Sequence, residues 1–240
     1  MPNPTAAMIV IGDEILSGRT RDSNAHHLAN ELTLVGIDLR EVRFIADDHE
    51  GIVAAVNALR GAHDHVFTSG GIGPTHDDIT ADAVAAAFGV PIDVRADAAA
   101  LLGAHYERTG REFNDSRKRM ARIPDTAVLI DNPVSIAPGF TLGNVHVMAG
   151  VPDVFQAMLA GVLAPLAKGA PLLSQTLRVE RGEGDIAAPF GALAAEFPDL
   201  SMGSYPFVLN GAVGTNLVIR GTDAARVNAA MARLADLFPG

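Results

Sequence analysis

The fold of this chain is decided by the run Ala6-Ala7-Met8-Ile9-Val10-Ile11, which Gly12 closes. A continuous apolar run of this length that ends at glycine is typical of a strand buried on both faces. Two further apolar segments, 39–45 and 65–68, have the same character, and stretches with helical spacing of their apolar residues separate and follow them. The order β-α-β-α-β-α predicts a three-layer α/β/α fold with a mainly parallel sheet.

The rest of the chain divides into a continuation of this fold and a small second domain. The composition shifts around Lys168 to Pro171, and the residues beyond follow the order β-α-β-β-α, which indicates a small α+β domain. We therefore predict two domains, 1–170 and 171–240. The later predicted helices cover 96–106, 114–122, 152–163 and 223–237, and the later predicted strands cover 127–130, 145–149, 177–179 and 216–219.

Composition excludes several classes of protein. The chain has 240 residues, of which 48% are hydrophobic and 19% charged, so it can form a core and is too poor in charge for a disordered chain. It contains no cysteine, which excludes disulfides and thiolate chemistry. The net charge of −10 disfavours nucleic acid as a partner, and the sequence has no membrane span and no basic signal region. We therefore expect a cytoplasmic globular protein.

Acidic residues follow each of the first three predicted strands. Because the carboxyl ends of parallel strands meet at one edge of the sheet, these side chains are expected to face a common crevice. Six carboxylates there repel one another unless a cation is present, and oxygen ligands without cysteine suit Mg²⁺ or Mn²⁺. Asp48 suits the cap of the helix that begins at His49, whereas Asp47 is free to face the site. The six acidic residues are Asp13, Glu14, Asp47, Asp48, Asp77 and Asp78.

A glycine-rich loop follows the third strand. Gly70, Gly71 and Gly73 allow backbone N–H groups to turn inward as an anion site, and Ser69 and Thr75 add hydroxyl donors. The same loop is also compatible with an ordinary tight turn. A phosphate site beside carboxylates is suited to a metal that bridges a nucleotide or pyrophosphate.

A basic segment at 107–122 provides a second candidate for anion binding. It contains six basic and three acidic residues, an excess of positive charge in an acidic protein. Arg117 and Lys118 are candidates to reach a phosphate. The alternative is a solvated helix face with ion pairs between successive turns.

These motifs resemble those of the molybdopterin-binding domain superfamily, which includes MoaB and MogA. Among its members, the chain is most similar to the N-terminal part of the competence/damage-inducible proteins of the CinA type, and it lacks the amidase domain that many of them carry at the C-terminus. The resemblance covers nearly the whole chain. The matching segments are Gly12–Gly18, Asp22-x-Asn24, Thr68–Thr80, Asn132-Pro133, Ala137–Phe140, Gly150–Pro152 and Gly203–Pro206.

The resemblance implies a divalent-metal-dependent hydrolase of nucleotide pyrophosphates such as ADP-ribose or FAD. The cofactor would be Mg²⁺, Mn²⁺ or Co²⁺, with molybdopterin as a further candidate ligand, and the family implies a homo-oligomer, a dimer or trimer. The expected metal ligands are Glu14, Asp47 and Asp78, and the expected catalytic residues are Asp47, Asp78 and Asp77. The expected substrate contacts are Ser69, Gly70, Gly71, Gly73, Thr75, Asn114 and Lys118.

One departure from the family pattern leaves two alternatives open. Where the family often has an acidic residue, this chain has Val154, and Asp153 lies one position early, about 100° away around a helix. The alternatives are a non-catalytic binding module for molybdopterin or a nucleotide diphosphate, and an adenylyltransferase of molybdenum cofactor biosynthesis.

Overall fold

The computed structural model describes residues 2–209 and 211–239. The chain divides into two compact units, and the division falls between Gly169 and Ala170. The sequence places this boundary one residue later. None of the helices in the described residues is long and apolar enough to cross a membrane.

The first unit is built on a six-stranded sheet with the strand order β2-β1-β3-β8-β7-β6. The strands β2, β1, β3 and β8 run parallel to one another, and β7 and β6 are antiparallel at one edge. The prediction of a mainly parallel sheet is confirmed. The bounds are β1 (Thr5–Ile11), β2 (Asp38–Ile45), β3 (His65–Ser69), β6 (Val128–Ile130), β7 (Gly139–Leu142) and β8 (Val145–Met148), and a separate pair consists of β4 (Ile92–Val94) and β5 (Arg122–Pro124).

Helices cover both faces of this sheet, which confirms the three-layer architecture. Alternate residues of β1 point to opposite faces, so Ile9 packs into one core cluster and Met8 into the other. Helices α3, α4 and α5 pack in the cluster of Ile9, and α2 and α7 in that of Met8. The bounds are α1 (Asp13–Leu16), α2 (Asn24–Val35), α3 (His49–Arg60), α4 (Thr80–Phe88), α5 (Ala96–Arg108), α6 (Asp115–Lys118) and α7 (Pro152–Leu163).

Several short segments of the first unit differ from the sequence prediction, among them α1 and β4, which were not predicted. The helix predicted over 114–122 is confirmed in part: α6 covers Asp115–Lys118 and a 3-10 turn continues it over Arg119–Ala121, but Arg122 belongs to β5. The pairing of β5 with β4 ends the helical segment at this point. Strand β7 was not predicted, because it begins at Gly139 and has no continuous apolar run.

The second unit contains a three-stranded antiparallel sheet with the order β10-β11-β9, and two helices pack against it. Its β-α-β-β-α order agrees with the sequence prediction. The sequence offers Thr222 or Asp223 as the cap of the last helix, and the structure selects Asp223, whose side chain accepts hydrogen bonds from the N–H groups of Ala225 and Arg226. The bounds are β9 (Leu173–Val179), α8 (Glu183–Glu196), β10 (Ser201–Leu209), β11 (Ala212–Gly221) and α9 (Ala224–Leu237).

Candidate functional site

An open cavity of about 730 Å³ lies at the carboxyl ends of the parallel strands in the first unit. The segments that follow β1, β2, β3 and β8 all contribute to its walls. This is where a doubly wound sheet binds its ligands. The predicted site residues that line it are Glu14, Asp47, Gly70, Gly71, Gly73, Asp77 and Asp78.

Asp47 is held in place by reciprocal hydrogen bonds with Asp13. The Asp13 N–H donates to Oδ2 of Asp47 at 2.9 Å, and the Asp47 N–H donates to Oδ1 of Asp13 at 3.4 Å. Burial raises the pKa of Asp47, and the negative charges of Asp13, Glu14 and Asp77 raise it further, against the effect of the Asp13 N–H. A carboxylate with a raised pKa is a better proton acceptor than an ordinary aspartate.

The neighbouring Asp48 has a different role. Its side chain accepts a hydrogen bond from the Gly51 N–H at 2.7 Å and caps α3. The prediction that Asp48 caps α3 is confirmed. Asp47, one residue earlier, lines the cavity.

The Asp78 side chain fixes the glycine-rich loop through hydrogen bonds with Thr75. Its Oδ2 accepts hydrogen bonds from the Thr75 N–H at 2.7 Å and the Thr75 hydroxyl at 2.6 Å. A Cβ on Gly73 would lie 2.7 Å from the same Oδ2, so a larger residue there would displace the Asp78 carboxylate. Thr75 supports Asp78 in this way and does not itself line the cavity.

The backbone of Gly70 and Gly71 adopts conformations that favour glycine. Gly70 has a φ of +108° and Gly71 a φ of +69°. A Cβ on Gly70 would lie 2.2 Å from the Ile11 carbonyl oxygen, and one on Gly71 would lie 2.1 Å from Oγ1 of Thr80. The Gly70 N–H donates to the Met148 carbonyl at 3.2 Å. Within this loop, the N–H groups of Gly71 and Gly73 have no hydrogen-bond partner among the described residues.

Ser69 lies beneath the cavity and takes part in a buried clamp. Asn24 is buried, and its Nδ2 donates to the Ser69 hydroxyl at 2.7 Å and to the Gly150 carbonyl at 2.8 Å. The clamp joins the end of β3 to the loop after β8. The motif Asp22-x-Asn24 is the sequence feature that could have identified the role of Asn24. Within this motif the Asp22 side chain accepts hydrogen bonds from the N–H groups of Asn24 and Ala25.

Asn132 is a second buried amide that sequence reasoning did not assign to the site. It lines the cavity, its Oδ1 accepts from the N–H groups of Val134 and Ser135, and its Nδ2 donates to the Ala137 carbonyl at 2.7 Å. The residue shapes the loop between β6 and β7. It belongs to the Asn132-Pro133 motif, which is the signal that could have identified it.

Four predicted substrate contacts lie outside the cavity lining: Ser69 and Thr75, described above, and Asn114 and Lys118. Asn114 caps α6, because its Oδ1 accepts a hydrogen bond from the Arg117 N–H at 3.1 Å. Lys118 forms an ion pair with Asp115 at 2.9 Å. Their contact with a substrate stays a prediction.

The beginning of α7 forms the apolar side of the cavity. Val151, Pro152 and Val154 line it, whereas the exposed Asp153 does not. Val154 is 6% exposed and also belongs to the core. No side chain caps this helix, so its first N–H groups are unsatisfied by the helix itself.

The described residues contain no group of three histidine, aspartate or glutamate side chains arranged to hold a metal ion. Glu14, Asp47 and Asp78 line one cavity without converging on one point. Their chemistry fits a hard cation that takes its other ligands from phosphate or water, because Mg²⁺ is commonly bound by one or two carboxylates plus substrate oxygens. The donor set therefore fits a metal held jointly with a ligand.

Comparison with known proteins gives two family matches. The family described as "Probable molybdopterin binding domain" matches residues 7–169, and the family described as "FAD synthase, middle domain" matches residues 171–240. Both matches follow the two units of the structure.

Individual proteins show similar likenesses. A "Probable FAD synthase" of Caenorhabditis elegans is 32% identical over 98% of this chain, and the chain spans about half, 50%, of that protein's length. A protein of Pyrobaculum calidifontis is 35% identical over 85% of this chain and 81% of its own length. The crystal structure of CinA from Thermoplasma acidophilum, described as having unknown function, is 33% identical, with a TM-score of 0.62, over 68% of this chain and 98% of that one.

Proposed function

The chain belongs to the molybdopterin-binding domain family, and on that premise we propose that its first unit is a divalent-metal-dependent hydrolase of nucleotide pyrophosphates. The molybdopterin-binding domain is followed by a FAD synthase middle domain, which supports a function related to nucleotides. ADP-ribose and FAD are the substrates that we propose. The observation that carries the proposal is the single cavity that brings Glu14, Asp47, Asp77 and Asp78 together with the loop of Gly71 and Gly73.

Asp47 is the proposed proton acceptor. The Asp13 N–H occupies Oδ2 of Asp47, so Oδ1 is the oxygen that takes a proton from water. The water oxygen attacks one phosphorus, and the bond from that phosphorus to the bridging oxygen breaks. The electron pair stays on the bridging oxygen, so ADP-ribose yields AMP and ribose 5-phosphate, and FAD yields AMP and FMN.

The glycine loop is proposed to bind the phosphate oxygens. The N–H groups of Gly71 and Gly73 have no other partner in the described residues, and fixed donors of this kind stabilise negative charge that develops in a transition state. When bound, a divalent cation neutralises phosphate charge and activates water. Glu14 and Asp47, with Asp78 and Asp77 beside the loop, are the residues that would hold it.

The test is turnover of ADP-ribose and FAD with Mg²⁺, Mn²⁺ or Co²⁺, measured by chromatography of the products. Asp47→Asn and Asp78→Asn are expected to lower kcat/KM by roughly 100-fold or more, because the first removes the proton acceptor and both remove a negative charge that would hold the cation. Glu107→Gln, an exposed charge on α5, is the matched control and is expected to retain full turnover. No turnover by the wild type, or equal turnover by Asp47→Asn, would refute the proposal.

Val154 favours a second candidate, a module that binds a pterin or nucleotide diphosphate without chemistry. The side chain presents methyl groups to the cavity where the family often has an acid. Calorimetry with both ligand types, followed by product analysis, separates the candidates. Tight binding without product supports the module, and product formation eliminates it.

A further inference from the structure

The sheet of the second unit has an outer face, opposite to its two helices. The side chains of Leu177, Leu217 and Ile219 belong to the core cluster that packs against α8 and α9. Successive side chains of a strand point to opposite faces, so the residues that alternate with these three lie on the outer sheet face. The register of the strands places Arg178 and Tyr205 on this face, on either side of Asn216.

Tyr205 and Phe207 place two aromatic rings on the outer sheet face. Tyr205 is 46% exposed, so much of its ring is accessible to a ligand. A Cβ on Gly203 would lie 3.2 Å from Oη of Tyr205, and a Cβ on Gly214 would overlap the Phe207 ring. Glycine within a strand often marks a place where another group approaches the backbone closely. These two glycines therefore leave room for the rings to lie over the sheet.

Two arginines accompany the rings. The Cζ atom of Arg178 lies 4.1 Å from the centre of the Phe207 ring, and that of Arg220 lies 5.7 Å from the centre of the Tyr205 ring. Within residues 2–209 and 211–239, neither of these guanidinium groups forms an ion pair with a carboxylate. Their positive charges are thus available to an anion.

The outer sheet face carries positive charge in an acidic protein. None of the strand residues that the register places on this face is acidic, and Glu180 comes only after β9 has ended. The net charge of −10 belongs to the whole chain and disfavours nucleic acid as a general partner. Charges on exposed surfaces act over about 10 Å at 0.1 M salt, so the local charge governs what this face contacts. The face is therefore complementary to an anionic partner.

A single strand of nucleic acid matches both the rings and the charge. Bases stack on aromatic rings and on guanidinium planes, and phosphates pair with arginine. Tyr205 and Phe207 are two residues apart on β10, about 7 Å, so neighbouring bases of an extended strand can reach the two ring positions. The hydroxyl of Thr176 and the amide of Asn216 add neutral groups that suit sugar and phosphate. An acidic peptide would pair with the arginines but supplies no regular series of flat rings.

We infer that the outer sheet face of the second unit binds single-stranded nucleic acid. Bases stack on the Tyr205 ring and on the Arg178–Phe207 pair, and phosphates pair with the guanidinium groups of Arg178 and Arg220. Stacking and phosphate contacts read no base edge, so the binding is independent of base sequence. The inference goes beyond the proposed function, because it concerns the second unit alone.

The experiment is fluorescence anisotropy of a labelled oligouridylate of about 12 nucleotides, titrated with the full chain in EDTA. At about 50 mM NaCl we expect a Kd below about 100 μM, and oligothymidylate of the same length should bind within about tenfold. A duplex should bind at least about tenfold more weakly, since its bases are not free to stack. Two phosphate contacts predict a slope of log K against log salt concentration of about −1.4.

Variants on the outer sheet face locate the binding. Tyr205→Ala should weaken binding roughly fivefold or more, whereas Tyr205→Phe keeps a ring and should stay within about twofold of the wild type. Arg178→Gln should make the salt slope shallower by about 0.7. Arg233→Gln is the matched control: it removes the same charge from α9, where Arg233 pairs with Glu196, and should keep the wild-type affinity and slope. Circular dichroism verifies that each variant is folded.

Three results would overturn the inference. The first is that neither labelled strand binds the wild type at about 50 mM NaCl. The second is that Tyr205→Ala and Arg178→Gln both bind as the Arg233→Gln control does, or that UMP competes as strongly as the strand. The third is that Tyr205→Ala changes the sedimentation coefficient of the chain without changing strand binding, which would assign the face to contact between copies. Turnover of ADP-ribose is measured separately, so the proposed function is judged independently of these results.

Discussion

Asp47 and its neighbours show how a residue acquires its chemistry from position. Asp47 follows β2 and lies near the acidic side chains of Asp13 and Glu14, which follow β1. The backbone N–H of Asp13 donates to the Asp47 carboxylate, and the backbone N–H of Asp47 donates to the Asp13 carboxylate. The bonds orient the carboxylate, and the nearby charges raise its pKa. Asp13 is therefore a positioning residue for Asp47.

Removing the charge of Asp13 should extend activity to lower pH. Asp13→Asn keeps an acceptor oxygen for the Asp47 N–H but deletes a negative charge that raises the pKa of Asp47. Asp47 accepts a proton only when it is ionised, so a lower pKa moves the acidic limb of the pH profile downward. The measurement is kcat/KM for ADP-ribose against pH. An acidic limb that stays in place or moves upward would contradict this role for Asp13.

Replacing Gly71 is predicted to lower the free energy of unfolding more than replacing a helical glycine does. Gly71→Ala should cost roughly 2 kcal/mol or more, because alanine disfavours a φ of +69° and its Cβ would lie 2.1 Å from Oγ1 of Thr80. Gly161→Ala in α7 meets no atom within 4 Å and should be neutral or stabilising. Urea unfolding of both variants is the measurement, and equal effects would show that the loop geometry is wrong.

At the scale of elements, Asn24 connects three of them. It lies at the start of α2, and its side chain bonds the end of β3 and the loop after β8. Asn24→Ala should destabilise the first unit by about 2–3 kcal/mol, since it leaves buried partners unsatisfied. Asn30 is exposed on the same helix. Apart from the gain that alanine brings through its higher helix propensity, Asn30→Ala should change the free energy of unfolding by less than about 0.5 kcal/mol. Equal losses of stability in the two variants would contradict the clamp.

Elements with a continuous apolar run or a clear helical period were predictable from the sequence, including the short strands β6 and β8. The strands β1 and β3 are apolar runs, and α3 begins with the predicted Asp48 cap. Strand β7 and the break after α6 depend on pairing with distant strands, which no local pattern contains. In the site, the strand-end acids were predicted from topology. The contacts of Asn24 join residues far apart in sequence, so only the folded chain reveals them. The contacts of Asn132 lie within five residues of it, and what the sequence does not reveal is that this loop lines the cavity.

At the scale of the first unit, a buried histidine links stability to pH. His146 is 4% exposed, and its ring nitrogens lie 3.0 Å from the Thr141 hydroxyl and 3.4 Å from His65. Burial lowers the pKa of His146 to about 4, and the charge of His65 adds to the effect. The folded state thus holds the neutral ring where the unfolded chain is already protonated.

The first unit should therefore lose stability as the pH falls from about 6.5 towards 4. In that window the unfolded chain binds more protons, so the free energy of unfolding drops, by on the order of 2 kcal/mol between pH 7 and pH 5. Hydrogen exchange of the β1 and β3 amides is the measurement. His146→Phe should have a shallower slope over this range. A slope that is unchanged in the variant would assign the pH dependence to other groups.

The account of the whole molecule depends on where a nucleotide diphosphate binds. The most direct measurement is a crystal structure of the full chain with α,β-methylene-ADP and Mn²⁺, in which anomalous scattering locates the metal. We predict that the metal lies against the carboxylates of Glu14 and Asp47 and that the phosphate oxygens accept from the N–H groups of Gly71 and Gly73. A ligand bound elsewhere, with this cavity empty, would contradict the central claim.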